Sequence, residues 1–451
     1  MNPLEQYLEL YRSHCDEIDA NGAPVLNALR DDAFRRLEGM TIPARGDENF
    51  ENIDPGAMLA PDYGINLRKA SVEFDPDMTF RCDVPLASQS VMMNVNDTFA
   101  AATDAYDSLP DGVDAGSLRE FARLAPAEVA EYYGRIADPG NPVVALDTLL
   151  AQDGLYLRVR RGVRLERPLQ LVNILTGSAP LMAVRRMLVI IEDEAECKLV
   201  ACDHTQRDDL DMLALETVEI YVGRRARFDY CHIEESSRKT SRLSALYLRQ
   251  QEASSVNIDG MTLFNGKTRN EYHCRFEGEN AGLRLYGMGI EDKERVISTY
   301  THIDHAVPRC KSDELFKFTV DDSASGAFTG RIHVAPGAVG TEAYQANRNL
   351  VGSPEARMNS KPQLEIYNDD VKCSHGCAIG QLDPLQVFYM RTRGLTEAEA
   401  RLLLRQAFMS DVIAAVDVPS LRDRLHMLAE RRFAGMETAC GRQCAAGKCN
   451  K

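Results

Sequence analysis

A mainly β chain with helical ends is what the amino-acid sequence predicts, and three observations carry that expectation. The middle of the 451-residue chain alternates apolar and polar residues with period two, turns interrupt it at a recurring spacing, and both ends switch to helical periodicity. Val218, Ile220 and Val222 alternate with Thr217, Glu219 and Tyr221, and Ala226, Phe228 and Tyr230 with Arg225, Arg227 and Asp229. Polar turns near Glu194, Arg224, Ala253, Gly266, Asn280, Lys293 and Ser323 lie 30, 29, 13, 14, 13 and 30 residues apart, which reads as one period near 14 with some turns hidden. A stacked β solenoid leaves that trace, and a sandwich of successive hairpins leaves nearly the same one. Both remain open on the period alone.

Taken in order, Leu4 to Arg36 carries apolar residues at helical spacing and predicts two short helices. Gly39 to Tyr106 is turn-rich, Leu118 to Ile136 is helical again, and Pro139-Gly140-Asn141-Pro142 closes that stretch. Near the other end, Asp383-Pro384 supplies an N-cap and a first-turn proline, with Gly394 to stop the helix. Thr396 to Glu399 forms a capping box for a helix through about Val416, and Pro419-Ser420 opens one that Gly435 ends. The expected organisation is a helical and irregular region over 1–146, a strand-rich core over 147–378, a helical domain over 379–436 and a flexible Cys-rich tail over 437–451.

Composition narrows the function classes. The chain has 52 Lys+Arg against 68 Asp+Glu, a net charge of −16 that argues against a nucleic-acid role. No apolar run approaches the ~20 residues of a membrane span, and the first residues carry no secretory pattern, so a cytoplasmic address is expected. The 12 Cys are then thiols or ligands rather than bridges. Residues 391–451 hold 11 basic and 7 acidic side chains, +4 against −20 for the remainder, an opposite sign that suits a docking surface or a solvated face.

Nucleotide and hydrolase motifs fail. Gly441 to Cys449 lacks the Ser/Thr and the following helix of a phosphate loop, and no Gly-x-Ser-x-Gly or His-Glu-x-x-His occurs. Gly287-Met288-Gly289 reads as a close-packing site. In Thr301-His302-Ile303-Asp304-His305 a strand would put His302 and Asp304 on one face and His305 on the other, which favours a polar ladder over a ligand set. Cys373, His375 and Cys377 alternate, so an extended backbone places two thiols and an imidazole on one face, with Gly376 allowing a bend. That set suits zinc, iron or an iron-sulfur cluster, or else three small side chains at a domain junction. Cys440, Cys444 and Cys449 offer three more soft ligands, at a spacing that fits neither zinc nor ferredoxin patterns.

The stretches Ala343-Tyr344-Gln345-Ala346-Asn347-Arg348-Asn349-Leu350, Lys361 to Gly376 and Gly380-Gln381-Leu382-Asp383 closely resemble the SufB/SufD family. The resemblance implies a β-helix core flanked by helical N- and C-terminal regions. It implies a scaffold subunit of iron-sulfur cluster assembly, without turnover of its own, that pairs with a SufB-like subunit and docks the ABC-type ATPase SufC through its C-terminal helices, residues 384–434. Self-pairing in the partner's absence stays open. It implies a transient cluster shared with SufB, none held tightly by this chain alone, and assigns His375, with Cys373 beside it, to the cluster-assembly interface. Cys377 stands where such proteins usually carry a small non-thiol residue, Pro43 to Phe50 lacks their tryptophan, and the Cys440, Cys444, Cys449 tail lies outside the family motif. The competing classes are a β-helix enzyme acting on polysaccharide, which would want a signal peptide and aromatic groove where this chain has no Trp, and a metal carrier using the tail.

Overall fold

The computed structural model describes residues 3–69, 90–100 and 109–436. The Cys440, Cys444, Cys449 tail and Cys82 lie outside them. Among the described residues, nineteen strands form two sheets of ten and nine. From β4 (Gly154–Val159) to β19 (Val371–Gly380), successive strands go to alternate sheets, and each pairs in parallel with the strand two ahead. That is a β solenoid of about eight turns rather than a hairpin sandwich. The period near 14 is half a coil: Lys267 pairs with Val296 and Val296 with Ser325, a whole coil apart.

The corners explain why the turns were visible. Glu194, Arg225, Ala253, Asn280, Lys293 and Asp322 all adopt left-handed φ, each at or beside a turn read from the sequence, and Arg309 marks one that was hidden. On one corner these residues stack: the N–H of Glu194 donates to the Arg224 carbonyl, Arg225 to Glu252, Ala253 to Glu279 and Arg309 to Val339, at 2.8–2.9 Å. The tight reversal therefore satisfies its own backbone by bonding to the next coil. Gly287 and Gly289 are close-packing sites as expected, because a Cβ there would come within 2.3 Å of the Phe316 ring and 2.8 Å of the Phe318 ring on the following coil.

Inward side chains of both sheets build a continuous apolar core that includes Val218, Ile220, Val222, Phe228, Phe276, Phe316 and Phe328. The outer faces are covered in opposite places. On the nine-stranded sheet lie α1 (Glu5–Asn21), α2 (Pro24–Asn27), α3 (Arg30–Glu38), α4 (Pro55–Leu59), α5 (Leu118–Leu124), α6 (Pro126–Tyr132) and α7 (Pro142–Leu150). Two expected helices over Leu4 to Arg36 are three, divided first at Gly22, ahead of Pro24, and again at Ala28 and Leu29, and the stretch from Leu118 is split at Ala125, which Pro126 forces to φ −129° and ψ 57°. Buried Arg186 fastens this region by donating to Asp147 at 2.9 Å and Glu219 at 2.7 Å, and Glu219 also accepts the backbone N–H groups of Gly134, Ile136 and Ala137.

The ten-stranded sheet is covered by α9 (Glu397–Ala414) and α10 (Pro419–Phe433), whose Met409, Val412, Leu421, Leu425 and Leu428 pack on Ile233, Met261 and Ile290. The caps read from the sequence are present: Asp383 accepts from Leu385 ahead of α8 (Pro384–Thr392), and Thr396 with Glu399 forms the capping box of α9. Lys317 donates to Asp411 at 2.6 Å and Arg424 to Glu235 at 2.8 Å, tying these helices to the strands. No helix among the described residues is long and apolar enough to cross a membrane.

Candidate functional site

The last coil carries the candidate site. Strands β18 (Arg357–Ile366) and β19 each pair on one side only, with β16 (Ser325–Val334) and β17 (Thr341–Val351) respectively, and among the described residues no strand lies beyond them. Both are ten residues long and parallel to their single partners; β19 is exposed along most of its length, and β18 is mostly half-buried. Free N–H and C=O groups along two full edges are a template for another chain.

Cys373, His375 and Cys377 sit on β19 directly above Ala343, Gln345 and Asn347 of β17. In-register residues of a parallel pair share a face, and half-buried Cys373 packs against the solenoid core, so all three face the lumen. The alternation read from the sequence thus holds. The bend at Gly376 does not: the strand runs through it without left-handed φ, and a Cβ there would meet nothing within 4 Å. Burial raises the Cys373 thiol, whereas His375 and Cys377 are exposed. The lumen beneath turns polar, since Gln345 donates to Glu314 at 2.8 Å and the Asn347 carboxamide accepts from Ser360 at 2.7 Å and from Asn349 at 2.6 Å.

Among the described residues, half-buried Cys15 apart, the remaining cysteines are core thiols. Cys197, Cys202, Cys231, Cys274 and Cys310 are buried, with burial pushing Cys202 up to about 12 and Cys310 to about 11. His302 and Asp304 do share the outer face while His305 points inward, packed at a tilt against the Phe276 ring and bonded to Ser312 at 2.9 Å. Asp304 is taken by His333 at 2.8 Å and by Arg275, so this is a ladder and not a converging ligand set.

One cluster escaped sequence reasoning. Asp203, Glu216 and His232 converge inside the lumen with ligand atoms within 4.8 Å of one another. Arg242 lies 3.1 Å from Asp203 and 2.7 Å from Glu216, Arg185 lies 3.3 Å from Asp203, and His232 bonds Asp203 at 2.9 Å. Burial pushes the Asp203 carboxyl up, but Arg185, His232 and Arg242 together hold it well below its usual range. Two guanidiniums already neutralise the two carboxylates, so the donor set does not fit a cation; it is a buried ion-pair network. Only the winding of successive strands around the lumen brings these residues together, and no spacing in the sequence marks them.

Comparison with known proteins agrees with this architecture. Residues 173–408 match the SUF system FeS cluster assembly, SufBD core domain, and residues 1–171 the SufBD protein N-terminal region. The chain is 28% identical over 417 residues, 90% of its length and 91% of the relative's, to an iron-sulfur cluster assembly SufBD family protein of Synechocystis. It is 29% identical over 290 residues to the iron-sulfur cluster assembly protein SufD of Escherichia coli, covering 63% of this chain and 68% of that one. A SufBD family protein of Mycobacterium tuberculosis is 31% identical over 314 residues, 66% of this chain and 78% of the relative. With both halves of the chain matched and a solenoid between helical ends, the protein belongs to the SufBD family of iron-sulfur cluster assembly proteins.

Proposed function

We propose that this chain is a cytoplasmic scaffold subunit, without turnover of its own, on whose open coil nascent iron-sulfur clusters are built together with a SufB-like partner. The observation that carries the reading is the unpaired end of the solenoid with His375, Cys373 and Cys377 on it. A partner that adds strands to β18 and β19 satisfies their free backbone groups and closes the lumen over those side chains. Gly376, with open space where a Cβ would be, lets a second backbone approach closely. The cluster is cargo here. His375 supplies an imidazole nitrogen and Cys377 an accessible thiol at the rim; both suit iron. Cys373, half-buried against the core, holds the strand and offers a thiol only after it is exposed.

The second contact is with a SufC-type ATPase through residues 384–434. Helix α8 leaves Leu385 74%, Phe388 64% and Tyr389 59% exposed, an apolar face that no other described residue covers. Whether Cys440, Cys444 and Cys449 carry metal is decided by removing residues 440–451 and measuring iron after anaerobic purification; unchanged iron ends that role.

The decisive experiment replaces His375 by Ala in the co-expressed complex. The expected result is an intact complex whose cluster formation falls about tenfold or more, read by absorbance and iron content under anaerobic conditions, the order expected for loss of a metal ligand. Wild-type cluster yield would remove His375 from the site.

A further inference from the structure

Two amides lie side by side at the top of the lumen, and their bonding differs. Asn347, below Cys377, is saturated: its Nδ2 donates to the Phe316 carbonyl at 3.2 Å, and its Oδ1 accepts from Ser360 and Asn349. Gln345, below His375, is 2% exposed, and its Nε2 donates to Glu314 at 2.8 Å, but its Oε1 is buried without a partner among the described residues. A buried carbonyl oxygen left unbonded costs about 1–3 kcal/mol, so its persistence asks for a donor. The surroundings keep this side chain where it is. On the facing wall Gly330 has no side chain, and a Cβ there would come within 2.3 Å of Gln345 Nε2.

The register names the donor. Glu314, Gln345 and His375 occupy successive coils in one column of the ten-stranded sheet. Adjacent strands are about 4.8 Å apart, so an imidazole turned down the column reaches the amide beneath it. We infer that Gln345 is a positioning residue for His375: Glu314 fixes the orientation of the Gln345 amide, and its free Oε1 accepts the N–H of one His375 ring nitrogen, leaving the other nitrogen unprotonated and aimed out of the open end. A carboxylate or carbonyl behind a ligating histidine commonly sets its tautomer and ring angle. The inference rests on the assignment of His375 to the cluster site, but its geometry can be tested without any cluster.

The test is nitrogen-15 NMR of histidine-labelled full-length chain at pH 8, with the His375 signals assigned from the His375→Ala variant. Wild type is expected to show one dominant tautomer. Gln345→Leu, which keeps the volume and removes the acceptor, lowers the tautomer ratio about fivefold, the equivalent of one hydrogen bond lost. Gln345→Glu, which keeps an acceptor oxygen, restores it and keeps the inference testable if the Leu variant does not fold. An equal tautomer ratio in wild type and in a folded Gln345→Leu, or a mixture in both wild type and Gln345→Glu, overturns the inference. Wild-type cluster yield from His375→Ala would instead overturn the function while leaving the tautomer result standing.

Discussion

The two ends of the solenoid are made of the same kind of strand and finished in opposite ways. At the first end the sheets stop in short antiparallel strands, β2 (Thr98–Ala100) against β1 (Ser90–Val95) and β3 (Val113–Ser117) against β4, and α5 follows directly from β3. At the last end β18 and β19 stop at full length with Ile366, Tyr367 and Ile379 exposed. Short or covered edges keep β proteins monomeric, and long bare ones invite pairing. On the function proposed above, the first end serves stability and the last association. Substitutions should separate the two cleanly.

The largest expected effect is at the covered part of the molecule. Arg186→Ala leaves Asp147 and Glu219 as buried charges without their partner, and breaking such a pair costs about 3–5 kcal/mol. Urea unfolding should show that loss, with cluster-site chemistry unchanged in whatever remains folded. A loss below ~1 kcal/mol would mean the helices are not fastened through this network.

Next comes Glu314, which burial pushes up to about 7 from 4.5. The folded state thus binds its proton more tightly than the unfolded one. Its contribution to stability is complete below pH 4.5, is lost as pH rises toward 7 and changes no further above that. A shift of this size corresponds to roughly 3 kcal/mol at most, at about 1.4 kcal/mol per unit. Glu314→Gln should remove that slope between pH 4.5 and 7 while leaving stability below pH 4.5 nearly unchanged. An identical slope in the variant would assign it to other groups.

Smaller still is the thermodynamic effect of altering the open edge. Ile379→Lys places a charge on a half-exposed rim position, so unfolding stability should change by less than ~0.5 kcal/mol. Association with the SufB-like subunit should nevertheless weaken at least about tenfold, or ~1.4 kcal/mol, measured by titration of one purified subunit with the other. Equal loss of stability and association would make β19 an ordinary core strand and end the contrast between the ends.

How much of this was legible follows from what one sequence can encode. Turns at Glu194, Ala253, Asn280 and Lys293 were readable because each left-handed corner admits only polar or small residues in practice, and the alternation of Val218, Ile220 and Val222 gave the inward face directly. The choice of partner strand was not, because a coil and a hairpin impose the same period. The rule that polar residues point outward also failed inside the lumen, where Arg185, Asp203, Glu216 and Arg242 neutralise one another. Of the site, the Cys373 to Cys377 face was visible in the alternation. Gln345 was seen only as part of a family motif, since its place beneath His375 depends on the register of β17 with β19.

The weakest perturbation is chemical and leaves the fold untouched. Cys377 is exposed on the rim while Cys197, Cys202, Cys231 and Cys274 are buried, their thiols held protonated by burial. Only thiolate at an accessible surface reacts readily with an alkylating agent. Brief iodoacetamide treatment of the native chain, followed by peptide mass analysis, should therefore label Cys377 and leave those four unmodified. Adding the SufB-like subunit before the reagent should then protect Cys377, because closure of the open coil removes its access to solvent. Labelling at the same rate with and without the partner would place the joint elsewhere on the molecule, and the long bare edges of β18 and β19 would need another occupant.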